Sequence, residues 1–461
     1  MSIEGQIALG QCFVGKTLYY TTPAPAGKDG LWVCSTNGLE EFDVLIERHP
    51  EAVSADTLEL LEIQKKKSAN LAARARVRWS VAARGDFLAG RRDLSAKELY
   101  QRLRDFICRH HWSPNSEGYD LLATFLMATY LYTVANSVPN IHLVGDPGSG
   151  KTRVAEIAEQ CGFKPVLASD ATPAALFRHL SLIRALVILD EQEGVNNPRL
   201  NRMVRAGYRS TGNALRCEGR IPMTYSCFSP KIVVTNSELT DQALETRFIP
   251  YKCERAPQPV ENLLDRLTSA EVVEIQDALH IFGLMAAPDV AARYANHPHI
   301  EGVSNRDEEI AGLLWAVASY IDEQPGPELG VHGILVTLMQ TLSETRRRGR
   351  EFDGEKSVLK LIVQNFLVEH AKDQVDGYPG YFIGDAFVKY ANGCRELEHP
   401  IPSTKVASEK LRRHDLLADK KRVRIRAEGA GHIPGMPATV DYRIQRTAFK
   451  FTDALSLNSN T

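Results

Sequence analysis

The stretch Asn140 to Val154, N-I-H-L-V-G-D-P-G-S-G-K-T-R-V, restricts the possible folds more than any other part of the chain. A short apolar run gives way to a glycine-rich turn, and Lys151-Thr152 then opens a helical pattern. Gly145, Asp146, Pro147, Gly148, Ser149, Gly150, Lys151 and Thr152 match G-x-x-x-x-G-K-[ST] in the strand-to-helix setting that gives this spacing its meaning. Glycines let successive backbone N–H groups converge on a phosphate with no Cβ in the way, and the following helix turns its positive end to the same place. Lys151 would reach the β and γ phosphates of ATP, and the Thr152 hydroxyl would ligate Mg²⁺. The bland alternative, a glycine turn with an incidental Lys-Thr, leaves the flanking strand and helix unexplained.

Two further strands extend the pattern. Arg184 to Glu191 (R-A-L-V-I-L-D-E) is almost wholly apolar and ends in two carboxylates, as a strand covered on both faces does. Acids at the carboxyl end of such a strand sit where open α/β sheets bind ligands. Asp190 would hold Mg²⁺, and Glu191 would polarise the attacking water. Lys231 to Asn236 is a third strand, and Asn236 could orient that water. Between them the turn at Glu218-Gly219-Arg220 marks a β-hairpin with Arg209 and Arg216 on its arms and Arg220 at its tip. Arg247 stands where a short helix runs into a strand. It either caps that helix or projects across a subunit interface toward a neighbour's γ-phosphate.

A chain of 461 residues exceeds one ordinary hydrophobic core, so several domains are expected. A net charge of −2 leaves nucleic-acid binding to local basic patches. No apolar run approaches the ~18 residues of a membrane span, and the first residues lack the pattern of a signal peptide, which points to the cytoplasm. The eight cysteines form no C-x-x-C and fit reduced thiols. Cys108, His110 and His111 read as ordinary helix residues, because three potential ligands at one helix end lack a second cluster.

The first fifty or so residues read as a β-rich start. A basic helical segment from Lys65 to Arg92 follows, either a solvated face or a phosphate-backbone contact. Ser95, with Glu98 three residues on, opens a helix to His110, and a second runs from Tyr119 to Ala135. Near the other end, a proline-glycine linker at Glu323 to Glu328 precedes a helix pair carrying Arg346, Arg347, Arg348 and Arg350. From Gly380 the order is helix (Phe382–Tyr390), helix (Ser403–His414), strand (Arg422–Arg426), glycine-rich loop and strand (Val440–Ile444), the order of a winged helix. Lys405, Arg412, Arg413 and Arg424 head its basic residues. They make either a duplex DNA contact or the solvated face of an interaction lid.

The ordered set GDPGSGKT, LVILDE, hairpin, IVVTN and ALETRF resembles an AAA+ ATPase of the branch with a pre-sensor hairpin. That branch includes superfamily 3 and minichromosome-maintenance helicases and the primase-helicase-like ATPases of phages and mobile elements. The resemblance covers about residues 95 to 320. It implies an α/β core with a parallel sheet, Asn236 as sensor 1, Arg247 as the arginine finger, and Arg306, in the first turn of its helix, as sensor 2. Because a helix N-terminus disfavours a cation, Arg306 is expected to meet a phosphate. The hairpin tip departs from the pattern, with Glu218-Gly219-Arg220 where the family commonly has lysine or histidine.

The expected domains are an N-terminal domain (1–94), the ATPase (95–323), a helical linker (324–378) and a winged helix (379–461). The expected function is a cytoplasmic ATP-driven DNA helicase or helicase-like replication protein of a mobile element or prophage. It would act as a homo-oligomeric ring, expected to be a hexamer, with single-stranded DNA in the pore. Rival expectations are an initiator or loader that remodels DNA without unwinding it, and a remodeller of protein.

Overall fold

The computed structural model describes residues 9–452 apart from 57, 60, 63–77, 169–171, 184, 191–197, 219–220, 240, 259, 261–268, 377, 395–396, 398 and 427–442. Two compact units divide it, residues 1–343 and 344–461.

The first unit opens with an antiparallel sheet of β1 (Gln11–Val14), β2 (Thr17–Thr22), β3 (Trp32–Ser35) and β4 (Gly38–Glu41) in that order, the β-rich start expected. Its side chains alternate between two cores, as strand geometry requires. Leu18 and Tyr20 enter one, and Cys12, Val14 and Tyr19 enter the other.

Between those two cores lies a parallel sheet of β5 (Asn140–Val144), β6 (Val166–Ala168), β7 (Val187–Leu189), β10 (Lys231–Thr235) and β11 (Ile249–Lys252), in the order β11-β5-β10-β7-β6. Ile141, Leu143, Ile188, Ile232 and Val234 face one core, with helices Ala96–His110, Ser116–Thr129, Lys151–Cys161, Ala270–Ala295 and Asn305–Glu323. Val187, Leu189 and Val233 face the other, with helix Pro173–Leu182. Burial on both faces is why β5, β7 and β10 are nearly continuous apolar runs. This mixed α/β arrangement is compatible with a phosphate-loop core.

The helix starts follow their caps. Ser95 accepts from the Glu98 amide at 3.2 Å, Ser269 from Val272 at 3.3 Å and Ser304 from Asp307 at 3.3 Å. The second expected helix begins at Ser116 and ends at Thr129, and Tyr132–Val134 continues as a 3₁₀ turn.

The expected hairpin is present as β8 (Asn213–Glu218) and β9 (Ile221–Ser226), antiparallel with Leu215 opposite Thr224. Its two feet are gathered by one buried ammonium. Lys231 Nζ donates to the carbonyls of Gly207 at 2.9 Å, Cys227 at 3.1 Å and Ser229 at 2.6 Å. Gly207 must be glycine there, since a Cβ would lie 2.1 Å from the Cys227 oxygen and 2.6 Å from Lys231 Nζ. Burial pulls the Lys231 amine down to about 7. Three hydrogen bonds use all its donors, which is what allows a cation in an apolar core.

In the second unit, the 39-residue helix Val331–Glu369, which begins in the first unit, runs unbroken where a helix pair was expected. No proline interrupts it, and a glycine costs a helix only about 1 kcal/mol. Beyond it lie β12 (Phe382–Ile383), helices Gly384–Gly393 and Thr404–Arg413, β13 (Leu417–Arg426) and β14 (Arg443–Phe451), with sheet order β12-β14-β13. The expected helix from Phe382 starts two residues later, because Phe382 pairs with Phe449 as a strand. The glycine-rich loop falls outside the described residues.

Lys231→Met would leave the Cys227 and Ser229 carbonyls without their described donor, while the Gly207 carbonyl keeps the Ser229 amide at 3.1 Å. Each such group costs about 1–3 kcal/mol, so a loss of about 2 kcal/mol or more is expected, read as a lower urea midpoint at unchanged slope.

Candidate functional site

A cavity of about 1150 Å³ opens at the carboxyl ends of β5, β7 and β10. The chain leaves β5 toward β6 on one side and leaves β10 toward β11 on the other, and ligands of open α/β sheets bind at such reversals. Pro147 to Thr152 line the cavity with Asp190, Thr235 and Asn236. Register brings them level, since Thr235 pairs with Val144 and Val233 with Leu189. Among the described residues expected at the site, these are the ones that the structure gathers into one place.

The glycine turn is shaped by its backbone. Gly148 at φ +81° and Gly150 at φ +91° occupy the left-handed region that a Cβ disfavours. Gly145 is packed so closely that a Cβ would lie 2.2 Å from the Cys253 carbonyl oxygen. The Lys151 ammonium donates to the carbonyls of Gly145 and Asp146, the latter at 2.9 Å. Ser149 Oγ is buried with no hydrogen-bond partner. A cation resting on exchangeable carbonyls, an unspent hydroxyl and the N-terminus of helix Lys151–Cys161 fit a phosphate group. Among the described residues, no group of three or more His, Cys, Asp or Glu could hold a metal.

Asp190 is buried just beyond β7, and its amide donates to the Ala168 carbonyl at 3.1 Å. Glu191 lies outside the described residues.

Arg247 and Arg306 are absent from the lining of this cavity. They meet each other instead. Arg247 stands over the Tyr208 ring at 5.3 Å and Arg306 over the same ring at 5.8 Å. Arg209 joins them at 5.2 Å and pairs with Glu309. Burial and then the Arg306 charge lower the Arg247 pKa, and Arg247 Nε is buried without a partner. One Arg247 nitrogen donates to the Ala243 carbonyl, so the helix-capping contact weighed from sequence is also made.

Four of the expected basic residues belong to the second unit. Lys405, Arg412 and Arg413 are exposed on helix Thr404–Arg413, and Arg424 is in β13 with its side chain outside the described residues. Arg216 is in β8, likewise without a described side chain, and Arg220 lies outside the described residues.

His111, which reads as an ordinary helix residue, and Trp112, which the sequence does not single out, belong to the site. Both line the cavity, and the His111 ring sits 3.5 Å from where a Cβ on Gly150 would be. His111 Nε2 also meets the Tyr251 hydroxyl at 2.9 Å. They follow the helix Ala96–His110, far upstream of the glycine turn, so no local pattern could announce the contact. Behind the turn, His142 Nε2 meets Thr235 Oγ1 at 2.7 Å.

No protein-family model and no curated protein sequence matches the chain. Among solved structures, the C-terminal region of NrS-1 in an apo form aligns over 77% of this chain and 75% of its own, with 13% identity and a TM-score of 0.29. A similarity of that size carries no argument about fold or function.

Burial holds both His142 and His111 down to about 4, with the Arg153 charge adding to the effect at His111. Each is neutral in the fold and would bind a proton when unfolded. Their contribution is therefore full above pH 6.5 and is lost as pH falls from 6.5 toward 4. Unfolding by urea at pH 7 and pH 5 should show this loss, and His142→Asn, which keeps a partner for Thr235 but does not titrate, should lessen it.

Proposed function

We propose that this chain is an AAA+ ATPase that acts on DNA as a ring-forming homo-oligomer, a helicase or helicase-like replication protein of a mobile element or prophage. One observation carries the reading: the glycine turn, Lys151, Asp190 and Asn236 border a single cavity at the ends of adjacent parallel strands.

Lys151 would hold the β and γ phosphates, and Thr152 and Asp190 would hold the Mg²⁺ that neutralises developing charge. Glu191 would take the proton of the attacking water, and Asn236 would orient that water. Arg247 and Arg306 do not line the cavity of their own subunit, which supports a role at a neighbour's site, where they would stabilise negative charge. A complete site then needs two subunits, and a hexamer is the arrangement proposed. No helix among the described residues is long and apolar enough to cross a membrane.

The second unit is proposed to be a winged helix that contacts duplex DNA. Two helices followed by an antiparallel pair of strands support this, as do three exposed cations on the second helix. The β8–β9 hairpin would contact single-stranded DNA in the pore through Arg216 and Arg220.

Lys151→Ala should abolish ATP turnover, and turnover at the normal rate would falsify the site assignment. Arg247→Ala should reduce kcat by about 10³-fold or more while nucleotide still binds. A strand-displacement assay with and without ATP separates a helicase from an initiator or loader, and DNA stimulation of turnover separates both from a protein remodeller. Lys405→Ala, Arg412→Ala and Arg413→Ala should each weaken duplex binding uniformly across sequences, lowering the slope of log K against log salt by about 0.9 per lost phosphate contact.

A further inference from the structure

The site has a direction, and it follows from strand order. In the series β11-β5-β10-β7, the glycine turn follows β5, while Asn236 and Asp190 follow β10 and β7 on one side of it. If those two groups attend the terminal phosphate, the rest of a nucleotide must extend to the other side, over β11. This step rests on the proposed nucleoside triphosphate reading.

What stands on the β11 side differs in chemistry. Tyr251 of β11 holds His111 at 2.9 Å, and the next residue, Trp112, lines the cavity half-buried. The segment after β11 crosses the turn at the Cys253–Gly145 contact and brings Glu254, Arg255 and Gln258 to the cavity wall together with the apolar Pro257 and Val260. The phosphate side offers an ammonium, a carboxylate and backbone amides, whereas this side adds an indole and apolar surface to its polar side chains. The volume of about 1150 Å³ exceeds what a triphosphate alone requires.

We infer that Trp112 stacks on the purine base of the bound nucleotide and so sets the preference of the site for purine over pyrimidine triphosphates. An indole gives a wide π face, and base–aromatic stacking tolerates any base but favours the larger one. Trp112 makes no contact with the phosphates in this arrangement, so its contribution is separable from theirs.

The test uses the full-length protein, with ATP, UTP and inorganic tripolyphosphate as ligands. Of the four tryptophans, Trp112 alone lines the cavity, so ATP should quench part of the tryptophan emission and tripolyphosphate should not. Trp112→Phe should remove that quench and keep most of the ATP affinity, which excludes a folding defect as the cause. Trp112→Ala should weaken ATP about tenfold by calorimetry, reduce the ATP-over-UTP preference and leave tripolyphosphate binding unchanged. Equal weakening of ATP and tripolyphosphate, an unchanged ATP affinity, or a quench that survives in Trp112→Phe would each overturn the assignment. Failure of the wild-type protein to bind both ATP and tripolyphosphate would overturn the nucleotide reading itself, and this inference with it.

Discussion

The insertion of β10 between β5 and β7 is the constraint on which the rest depends. Parallel ladders of evenly spaced hydrogen bonds hold the three strands in step, from Lys231 opposite both Asn140 and Val187 onward. With that register, the turn after β5, Asn236 after β10 and Asp190 after β7 open on one cavity. A shift of one residue would turn Ile232 and Val234 from one core to the other and carry His142 away from Thr235. Site and core are therefore specified by the same pairing.

Much of this was legible in the sequence where a local pattern had a local cause. The run before the glycine turn, the apolar run ending in Asp190, the hairpin and the capped helix after Ser95 all lie where their residues indicated. The edge strand β6 was not read, and the reason is physical. Val166–Ala168 is only three residues long, has an exposed Leu167 at its centre and covers no core continuously, so it lacks the apolar signal of its neighbours. The expected helix pair around Arg346 to Arg350 is one helix for the opposite reason, since isolated glycines do not stop a helix that carries no other penalty.

Contacts between distant segments were the illegible part. Tyr208 carries no signal in the sequence, yet the guanidiniums of Arg209, Arg247 and Arg306 share its phenol ring. His111 reads as an ordinary residue at a helix end and Trp112 carries no signal of its own, and the placement of His111 beside the glycine turn depends on Tyr251, a residue of β11. In each case the partner comes from a different element, and periodicity within one element contains nothing about it. The first four strands behave similarly, because alternation predicted them but not that they would feed both cores of the parallel sheet.

The Lys231 ammonium clasps the residues just before and just after the hairpin at the start of β10, and the same strand ends in Thr235, with Asn236 beyond it in the cavity. Four steps of about 3.3 Å make that strand a rod of roughly 13 Å. Any displacement of its far end is transmitted to the hairpin along a stiff axle clamped by neighbours on both sides, with no slack loop in between.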